Sequence, residues 1–526
     1  MTMPGGAWAG GYVADIPYLP GYLRHQAPAH LHLACLLGGV EGIETGPETP
    51  LSYLDLGCGQ GFGALALAAS NPAWRVTGVD FNPSHIAAAR SLAAEAGVGN
   101  ARFIEADLSD LAESPRARRI PEADVAILHG LWSWVGEKAR AGIVRLLSEK
   151  LRPGGILYIS YNALPAWGSA LGMQRLLREA GTRLALRSDR QAAAGLEVVR
   201  ALFEANAQQL RDSPFLRSLL EGAFQHPPAY LAHEYINSGW QPSFHADVAG
   251  ALAEAKLEWV GSAPLLENFS PLLLGEEALK VLDRFDETLL RELVKDMCLN
   301  RALREDVFVR GPRRLDAAER DEALAEALLF LACNEEEVVW EIEVPAGKAT
   351  IERGFFGPIV AALAREPKRV RELLRPADRS PAGEAAPIPQ ERASPKADPR
   401  AGEIVGMLVG SGQALPLSGL PLEPRPEVER LNEAAARRFA RPERMTSAMA
   451  LATSGSGSPF PCPMIELFVA AKLRQGSPDP ALWAKALAPL ATAEEQRRLA
   501  GVFSRILAER VPIWRRFGAL ARAFVL

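Results

Sequence analysis

Short apolar runs alternate with helical patterns along the stretch 51–162. Each apolar run is bounded by a glycine or by polar residues, which is typical of a strand buried inside a sheet. The predicted strands are 52–57, 74–80, 101–107, 123–130 and 156–162. The predicted helices between them are 61–70, 83–97 and 137–151. Strands that alternate with helices in this way predict an α/β fold with a Rossmann-like, doubly wound parallel sheet.

The pattern becomes helical after Trp167. Residues 169–240 are rich in Ala, Leu, Arg and Glu and contain no strand pattern, so they predict a helical insertion. A helix followed by a strand is predicted again at 245–265, and a closing strand is predicted at 305–311. We interpret 241–311 as the late part of the same sheet.

The remaining chain is predicted to contain a connecting region, a linker and a C-terminal domain. Within the connecting region, 312–375, the pattern at 338–352 predicts a β-hairpin. Residues 376–402 contain one large aliphatic residue, Ile388, among many Pro, Ala and charged residues, as expected for a disordered linker. Residues 403–526 are largely helical, and we expect them to form a separate domain.

The composition is that of an ordinary globular protein. The chain has 526 residues, and its 58 basic and 63 acidic residues give a net charge of −5, which disfavours a nucleic-acid-binding protein. No apolar run reaches the roughly 18 residues of a membrane span, and the first residues lack a secretory pattern. The 5 cysteines form no CxxC pattern, so neither a disulfide framework nor a metal site is indicated. We therefore expect a cytoplasmic location.

The candidate chemistry begins at a glycine-rich loop between the first strand and the first helix. Its pattern, D-x-G-x-G-x-G, starts at Asp55 and has its glycines at Gly57, Gly59 and Gly61. Glycine lets the backbone approach a ligand without a clash at Cβ, so the loop predicts a binding site. Asp80 ends the second strand, where an acid can accept hydrogen bonds from ribose hydroxyls. Together the loop and this acid predict a nucleotide-type cofactor.

Two classes of cofactor use such a loop. A dinucleotide fingerprint, G-x-G-x-x-G, needs a third glycine. Counted from Gly57 that position is Phe62, and counted from Gly59 it is the tolerated Ala64, so an NAD-dependent oxidoreductase stays an alternative. Asp55 favours the other class, because a carboxylate repels a pyrophosphate but attracts a cation such as the amino group of a methionine moiety.

With this loop and this acid, the chain resembles the class I S-adenosylmethionine-dependent methyltransferases. The resemblance implies that the loop, including Cys58, holds the methionine part of S-adenosylmethionine. It implies that Asp80, with Phe81 beside it, binds the ribose. Asp107 and Leu108 resemble the segment that contacts adenine in this family. No metal is implied.

Further motifs are similar to those of bacterial methyltransferases that carry a methyltransferase regulatory domain, a group that includes rickettsial protein-lysine methyltransferases. The motifs lie at 15–31, 160–167, 233–240, 256–262 and 296–311. The resemblance implies a methyltransferase core at 41–168 and a regulatory-type region within 241–311. It also implies a protein as the methyl acceptor, while a small-molecule acceptor and a non-catalytic scaffold of the same fold stay open. Such enzymes often place a dimer surface on the helical insertion, so a homodimer is predicted.

The nucleophile is expected to bind at the ends of the fourth and fifth strands. Methyl transfer is an in-line displacement, so the protein must align the nucleophile and exclude water. His129 is a candidate base, and Tyr161 and Asn162 are candidates to orient an amine or a hydroxyl group. The N-terminal segment 1–40 is expected to cover the cofactor as a lid through Tyr18. Further candidates are Asp15 and Tyr22 in the lid and Trp132, Trp134 and Trp167 near the strand ends.

Overall fold

The computed structural model of the chain describes residues 11–374 and 400–521, apart from residues 212, 224, 225, 227 and 477. Nearly all of the predicted linker therefore lies outside the described residues, as do residues 1–10 of the predicted lid. Among the described residues, no helix is both long enough and apolar enough to cross a membrane.

A seven-stranded sheet forms the centre of the fold. Its strands are β1 (Ser52–Leu56), β2 (Arg75–Asp80), β3 (Ala101–Glu105), β4 (Ala123–Leu128), β5 (Leu151–Asn162), β6 (Leu257–Ser262) and β7 (Leu303–Arg310). Their order across the sheet is β3-β2-β1-β4-β5-β7-β6. Strands β1 to β5 run parallel, and β7 lies antiparallel between β5 and β6. The predicted doubly wound sheet is confirmed, and β7 makes it mixed.

Helices cover both faces of this sheet. Those of the first part of the chain are α1 (Pro28–Leu37), α2 (Phe62–Ser70), α3 (Pro83–Ala96) and α4 (Glu137–Lys150). Successive side chains of a strand point to opposite faces, so neighbouring residues of β1 enter different cores. Tyr53 packs in the core that includes α2 and α3, and Leu54 packs in the core that includes α4. The two apolar cores hold the carboxyl edge of the sheet in place.

A bundle of helices separates β5 from the late part of the sheet. Its members are α5 (Leu171–Thr182), α6 (Ser188–Glu204), α7 (Gln208–Arg211), α8 (Pro214–Ala223) and α9 (Pro228–Tyr235). The bundle has a hydrophobic core of its own, which also includes Val13 and Ile16 of the N-terminal segment. The predicted insertion is thus helical, and it packs against the segment predicted to form the lid.

An ion-pair network ties β7 to the helices of the late region. These helices are α10 (His245–Ala253), α11 (Ser270–Leu273), α12 (Glu276–Leu282) and α13 (Thr288–Cys298). Arg304 of β7 is fully buried and donates to both oxygens of Asp296 on α13, at 2.9 and 2.8 Å. It also donates to Glu292 at 2.9 Å and to both oxygens of Asp306, at 3.0 and 2.9 Å. Because arginine stays charged in proteins, its burial requires these carboxylates.

Beyond β7 the chain is mainly helical, as predicted. Its helices are α14 (Ala317–Ala325), α15 (Arg353–Arg365), α16 (Val370–Leu374), α17 (Arg400–Ile404), α18 (Pro426–Phe439), α19 (Met464–Leu473), α20 (Pro480–Leu487), α21 (Ala493–Glu509) and α22 (Val511–Arg516). Its short strands are β8 (Leu328–Leu331), β9 (Glu341–Val344), β10 (Gly347–Thr350), β11 (Lys368–Arg369), β12 (Ala414–Leu417), β13 (Ala448–Leu451) and β14 (Phe460–Pro463). The hairpin predicted at 338–352 is formed by β9 and β10.

The C-terminal region is joined to the core more closely than the linker led us to expect. Strand β12 pairs antiparallel with β8 across the linker, and one hydrophobic core runs through both parts of the chain. Helix α18 packs on α2 and α3, where Arg437 and Arg438 form ion pairs with Glu95. The strand β12 is 4 residues long and includes Pro416, so the pattern of apolar positions does not predict it.

Replacing Arg304 is expected to destabilise the fold strongly. The substitution Arg304→Ala removes the cation that three buried carboxylates share. Glu292 keeps Lys295 at 2.7 Å and Asp296 keeps Arg301 at 3.5 Å. Asp306 loses its arginine partner, and breaking a buried ion pair typically costs about 3–5 kcal/mol of unfolding free energy. Urea denaturation followed by circular dichroism at pH 7 measures this loss. The control is Arg175→Ala, which breaks an exposed ion pair with Glu179 and is expected to cost less than about 1 kcal/mol. Equal effects of the two substitutions would contradict the role given to Arg304.

Candidate active site

The glycine-rich loop joins β1 to α2 at the carboxyl edge of the sheet. Gly57, Gly59 and Gly61 have φ angles of 80°, 52° and 75°, in the left-handed region that favours glycine. The backbone N–H groups of Gly57 and Cys58 donate to the carbonyl oxygen of Val79, at 2.8 and 3.1 Å. The loop is therefore tied to β2, at whose end the second predicted ligand acid lies.

The residues of the loop serve different purposes. A Cβ atom on Gly61 would lie 2.7 Å from both Ala89 and Phe103, so this glycine is needed for packing. A Cβ atom on Gly59 would meet nothing within 4 Å, because it would project into open space. The thiol of Cys58 lies 3.7 Å from the carbonyl oxygen of Gly59, and burial, with nearby carboxylates, raises its pKa. Cys58 is therefore an inert filler.

Hydrogen bonds from three residues hold the carboxylate of Asp80 at the end of β2. Its Oδ2 accepts from the N–H of Gly59 at 2.9 Å, and its Oδ1 accepts from the N–H of Asn82 at 2.9 Å. His85 has its Nδ1 3.3 Å from the same Oδ1, and its Nε2 accepts from the N–H of Tyr18 at 3.3 Å. Because Nε2 is an acceptor, Nδ1 carries the proton and donates to Asp80. His85 is thus a positioning residue that the sequence analysis missed.

Asp55 is an acid without a partner. Its side chain is partly buried, and no hydrogen bond from the described residues reaches its carboxylate. Burial raises its pKa to about 7, and the charge of nearby Asp80 adds to the rise. Such a group is stabilised in its charged form by a cation that enters its surroundings. Its contact with a methionine amino group stays a prediction.

A cavity of about 350 Å³ opens beside the loop, and we call it the loop cavity. The predicted cofactor-binding residues that border it are Tyr18, Gly57, Gly59, Asp80, Phe81, Asp107 and Leu108. Those that do not border it are Asp55, Cys58 and Gly61. Asp107 also caps a local turn, because its Oδ1 accepts the N–H of Ser109 at 2.8 Å. The cavity offers acids for hydroxyl and amino groups and apolar walls for a base.

The N-terminal segment 11–23 forms part of the wall of the loop cavity. Tyr18 borders the cavity as predicted, and so does Tyr12, which the sequence analysis missed. Asp15 is an anchor instead, because its Oδ2 accepts the N–H of Ser188 on α6 at 2.9 Å. The segment is thereby tied to the helical insertion while its tyrosines face the cofactor side.

A second cavity, of about 380 Å³, shares a wall with the first, and we call it the aromatic cavity. The residues that border both cavities are Tyr18, His129, Gly130 and Trp134. Its further walls come from the end of β5, from the short helical turn that follows it and from α8 and α9, and they include Asn162, Trp167, Phe215, Tyr230 and Tyr235. The predicted residues His129 and Asn162 therefore face one space. Tyr22 and Trp132 are buried in the hydrophobic cores.

Tyr161 borders neither cavity, which corrects its predicted catalytic role. It precedes Asn162 on β5, and neighbouring side chains of a strand point to opposite faces. Asn162 faces the aromatic cavity, so Tyr161 faces the core on the other side and is fully buried. Its hydroxyl donates to Asp306 at 2.5 Å and lies 3.1 Å from Nδ1 of His245. Tyr161 belongs to the ion-pair network of β7.

His129 follows β4 and begins a chain of polar side chains. Its Nδ1 lies 3.0 Å from the hydroxyl of Tyr158 and 3.0 Å from that of Ser160. Tyr158 in turn donates its proton to Glu305 at 2.7 Å, so its oxygen is left to accept from Nδ1–H of His129. That tautomer leaves Nε2 unprotonated. Burial lowers the pKa of His129, against the opposing charge of Glu305, so the ring is neutral at pH 7.

Known proteins share this arrangement of domains. The family described as "Methyltransferase domain" matches residues 48–199, and the family described as "Predicted methyltransferase regulatory domain" matches residues 227–310. An uncharacterized protein of Synechocystis sp. is 32% identical over 368 residues, which are 70% of this chain and 72% of the relative. The chain belongs to the methyltransferases that carry a methyltransferase regulatory domain.

Two further comparisons involve Rickettsia. An uncharacterized protein of Rickettsia prowazekii is 32% identical to this methyltransferase over 165 residues, and the match spans 31% of this chain and 61% of the relative. PKMT2 from Rickettsia typhi, also solved in complex with AdoHcy, aligns over 96% of this chain and 100% of its own. The identity is 17% and the TM-score is 0.64. The similarity to PKMT2 shows that the two proteins share a fold over almost their whole lengths.

The methyltransferase domain indicates S-adenosylmethionine as the cofactor and decides against the NAD alternative. The residues present fit this cofactor. Gly59 leaves open space at the loop, Asp80 presents a fixed carboxylate to the cavity, and Asp55 lacks a cation. Within the described ranges, no group of three or more His, Cys, Asp or Glu side chains is placed to hold a metal ion.

Filling the open space at Gly59 is expected to abolish cofactor binding. The substitution Gly59→Leu places a side chain in the loop cavity, and titration calorimetry with S-adenosylhomocysteine (AdoHcy) measures the loss. The matched control is Gly154→Leu, because Gly154 also has a positive φ, 77°, and nothing within 4 Å of its Cβ position, but borders neither cavity. Because Gly154→Leu strains the backbone without placing a side chain in either cavity, the comparison separates the effect of backbone strain from the effect of filling the cofactor site. Equal AdoHcy affinity of the two variants would contradict this location of the cofactor site.

Affinity for S-adenosylmethionine is expected to rise with pH around 7. The cationic cofactor favours the ionised form of Asp55, whose pKa in the empty protein is about 7. Below that pH a proton competes with the cofactor, so affinity falls by about tenfold per pH unit. Titration calorimetry between pH 5.5 and 8.5 tests this. A flat profile would exclude contact with Asp55.

The raised pKa of Asp55 can also be tested on the protein without cofactor, through its effect on the melting temperature. Folding raises the pKa of Asp55, so the ionised carboxylate destabilises the folded state. This loss of unfolding free energy reaches its full size above pH 7. The substitution Asp55→Asn is therefore expected to raise the melting temperature at pH 8 while it weakens cofactor binding and flattens the pH profile. A variant that melts lower and binds equally well would contradict both expectations.

Proposed function

We propose that this protein transfers the methyl group of S-adenosylmethionine to a nucleophile held in the aromatic cavity, and that the nucleophile is a lysine amine of a protein. The observation that carries the proposal is the shared wall of the two cavities, formed by Tyr18, His129, Gly130 and Trp134. An acceptor in the aromatic cavity would meet a cofactor in the loop cavity across this wall. In-line transfer needs this kind of juxtaposition.

The chemistry of the aromatic cavity suits an amine. A free lysine has a pKa of about 10.4, so it must lose a proton before it can attack. Burial among aromatic rings favours its neutral form. His129, neutral and with an unprotonated Nε2, is the group that we propose as the proton acceptor, and Asn162 is the group that we propose to orient the amine. When bound, S-adenosylmethionine supplies a sulfonium-activated methyl group.

The contribution of the helical insertion to the aromatic cavity supports a protein as the acceptor. The helical insertion forms a wall of the aromatic cavity, so a large part of the acceptor site is built from residues outside the methyltransferase core. The resemblance to rickettsial protein-lysine methyltransferases points in the same direction. The homodimer, the cytoplasmic location and the absence of a nucleic-acid partner stay predictions.

Methyl transfer can be tested without knowing the acceptor. The protein is incubated with tritium-labelled S-adenosylmethionine and a bacterial cell extract, and label is expected in acid-precipitated protein and, after hydrolysis, in methylated lysine. The substitution His129→Gln is expected to lower the rate by about 100-fold or more, because a proton acceptor is lost. Gly59→Leu serves as the inactive control. Label confined to small molecules would contradict a protein acceptor, and no label above the control would contradict the enzymatic function.

A further inference from the structure

Glu234 is an acid in the wall of the aromatic cavity that the proposed transfer does not yet use. It lies on α9, at the end of the helical insertion, and borders the cavity together with its neighbour Tyr235. Among the described residues that border this cavity, Glu234 is the one acid, and none is a lysine or an arginine. The cavity thus carries one titratable acid on its walls and no lysine or arginine.

The carboxylate of Glu234 has no counter-ion. No hydrogen bond or ion pair from the described residues reaches it, although it is only partly exposed. The two histidines of the cavity are His129, which burial keeps neutral, and His226, whose ring lies tilted by 37° against that of Tyr230 with 4.5 Å between centroids. Glu234 is half-buried in the cavity wall, so its side chain without a protein partner marks a place where a ligand cation fits.

The electrostatics around Glu234 agree with this interpretation. Burial raises its pKa to about 8, so Glu234 is largely protonated in the empty cavity at pH 7, and a cation that enters the cavity favours the ionised form. Burial also raises the pKa of Tyr12, Tyr18, Tyr230 and Tyr235, and the Glu234 carboxylate adds to each rise. The acid therefore sits among aromatic rings rather than among cations. A cation in the same space would interact with the carboxylate and with the faces of these rings.

A second polar group of the cavity also lacks a partner. Asn162 is 5% exposed, and within the described residues its Nδ2 has no hydrogen-bond acceptor. Because a buried amide without a partner costs free energy, this group is also arranged for a ligand. Glu234 and Asn162 come from different elements, α9 and β5, and face the same space.

We propose that Glu234 selects the acceptor of this methyltransferase, because its carboxylate pairs with the ammonium group of a lysine-type side chain in the aromatic cavity. The inference rests on the proposed function, since it names the residue that recognises the acceptor. The partner is identified by its chemistry: an extended alkyl chain that ends in a cation fits aromatic walls with one acid. A carboxylate acceptor would be repelled, and a neutral alcohol could donate a hydrogen bond but would leave the acid without a counter-ion.

Two probes with the same four-carbon side chain test this proposal in the full chain loaded with AdoHcy. They are Nα-acetyl-lysine methylamide and Nα-acetyl-norleucine methylamide, which differ in the terminal ammonium group. Titration calorimetry is expected to show at least tenfold tighter binding of the lysine probe to the wild type. The substitution Glu234→Gln is expected to remove this preference and leave the affinity for AdoHcy within twofold. Glu234→Asp keeps the charge and is expected to retain part of the preference.

The matched control is Glu221→Gln, which removes a charge from an exposed site on α8 of the same insertion and is expected to change neither affinity. A preference that survives in Glu234→Gln overturns the proposal, and so does a wild type that binds AdoHcy but does not prefer the lysine probe. A wild type that does not bind AdoHcy would instead refute the cofactor site. Retained AdoHcy affinity in Glu234→Gln shows that the variant is folded.

Discussion

The buried guanidinium of Arg304 is the constraint on which the shape of this protein depends. Arginine does not give up its charge, so β7 is stable at this depth only while Asp296, Glu292 and Asp306 surround it. Asp306 in turn accepts from Tyr161 of β5 and from the indole N–H of Trp259 on β6. One charge cluster thus joins three adjacent strands and a helix of the regulatory region. It fixes where β5 ends, and the residues that face the acceptor follow from that position.

Side chains alternate along β5 and β7, so those on one face of the sheet form the ion-pair network and those on the other face lead to the candidate site. Arg304 and Asp306 point to one face of the sheet, whereas Glu305 points to the other and binds Tyr158 and His25, at 2.7 and 2.9 Å. Through Tyr158 this acid reaches His129, which borders both cavities. The same strand therefore carries the network that holds the sheet and the polar chain that orients the candidate base. The regulatory region is in this sense part of the site.

Local patterns grouped the candidate cofactor residues, because these residues lie close in sequence. The loop from Asp55 to Gly61 and the acid at Asp80 are set by one β-α-β unit, whose order the apolar pattern predicts. Tyr161 was wrongly included among the candidate catalytic residues. Because side chains alternate along a strand, Tyr161 and its neighbour Asn162 cannot both face the same cavity. Glu234 and Tyr12 are different: they reach the site only through the packing of the insertion and the N-terminal segment, which no local pattern encodes. The pairing of β8 with β12 joins segments on the two sides of the linker, so local patterns do not predict it either.

Two unpaired acids lie on the two sides of the proposed transfer, Asp55 at the glycine loop and Glu234 in the aromatic cavity. When a neutral amine attacks the methyl group, positive charge leaves the sulfur and appears on the acceptor nitrogen. A carboxylate beside that nitrogen pairs with the ammonium form on binding and therefore opposes its deprotonation. Once the amine is neutral, the same carboxylate interacts more strongly with the positive charge that develops on the nitrogen than with the neutral amine. An alcohol, which ends as a neutral ether, gains less from the same acid. The position of Glu234 therefore favours an amine over an alcohol as the acceptor, both on binding and at the transfer step.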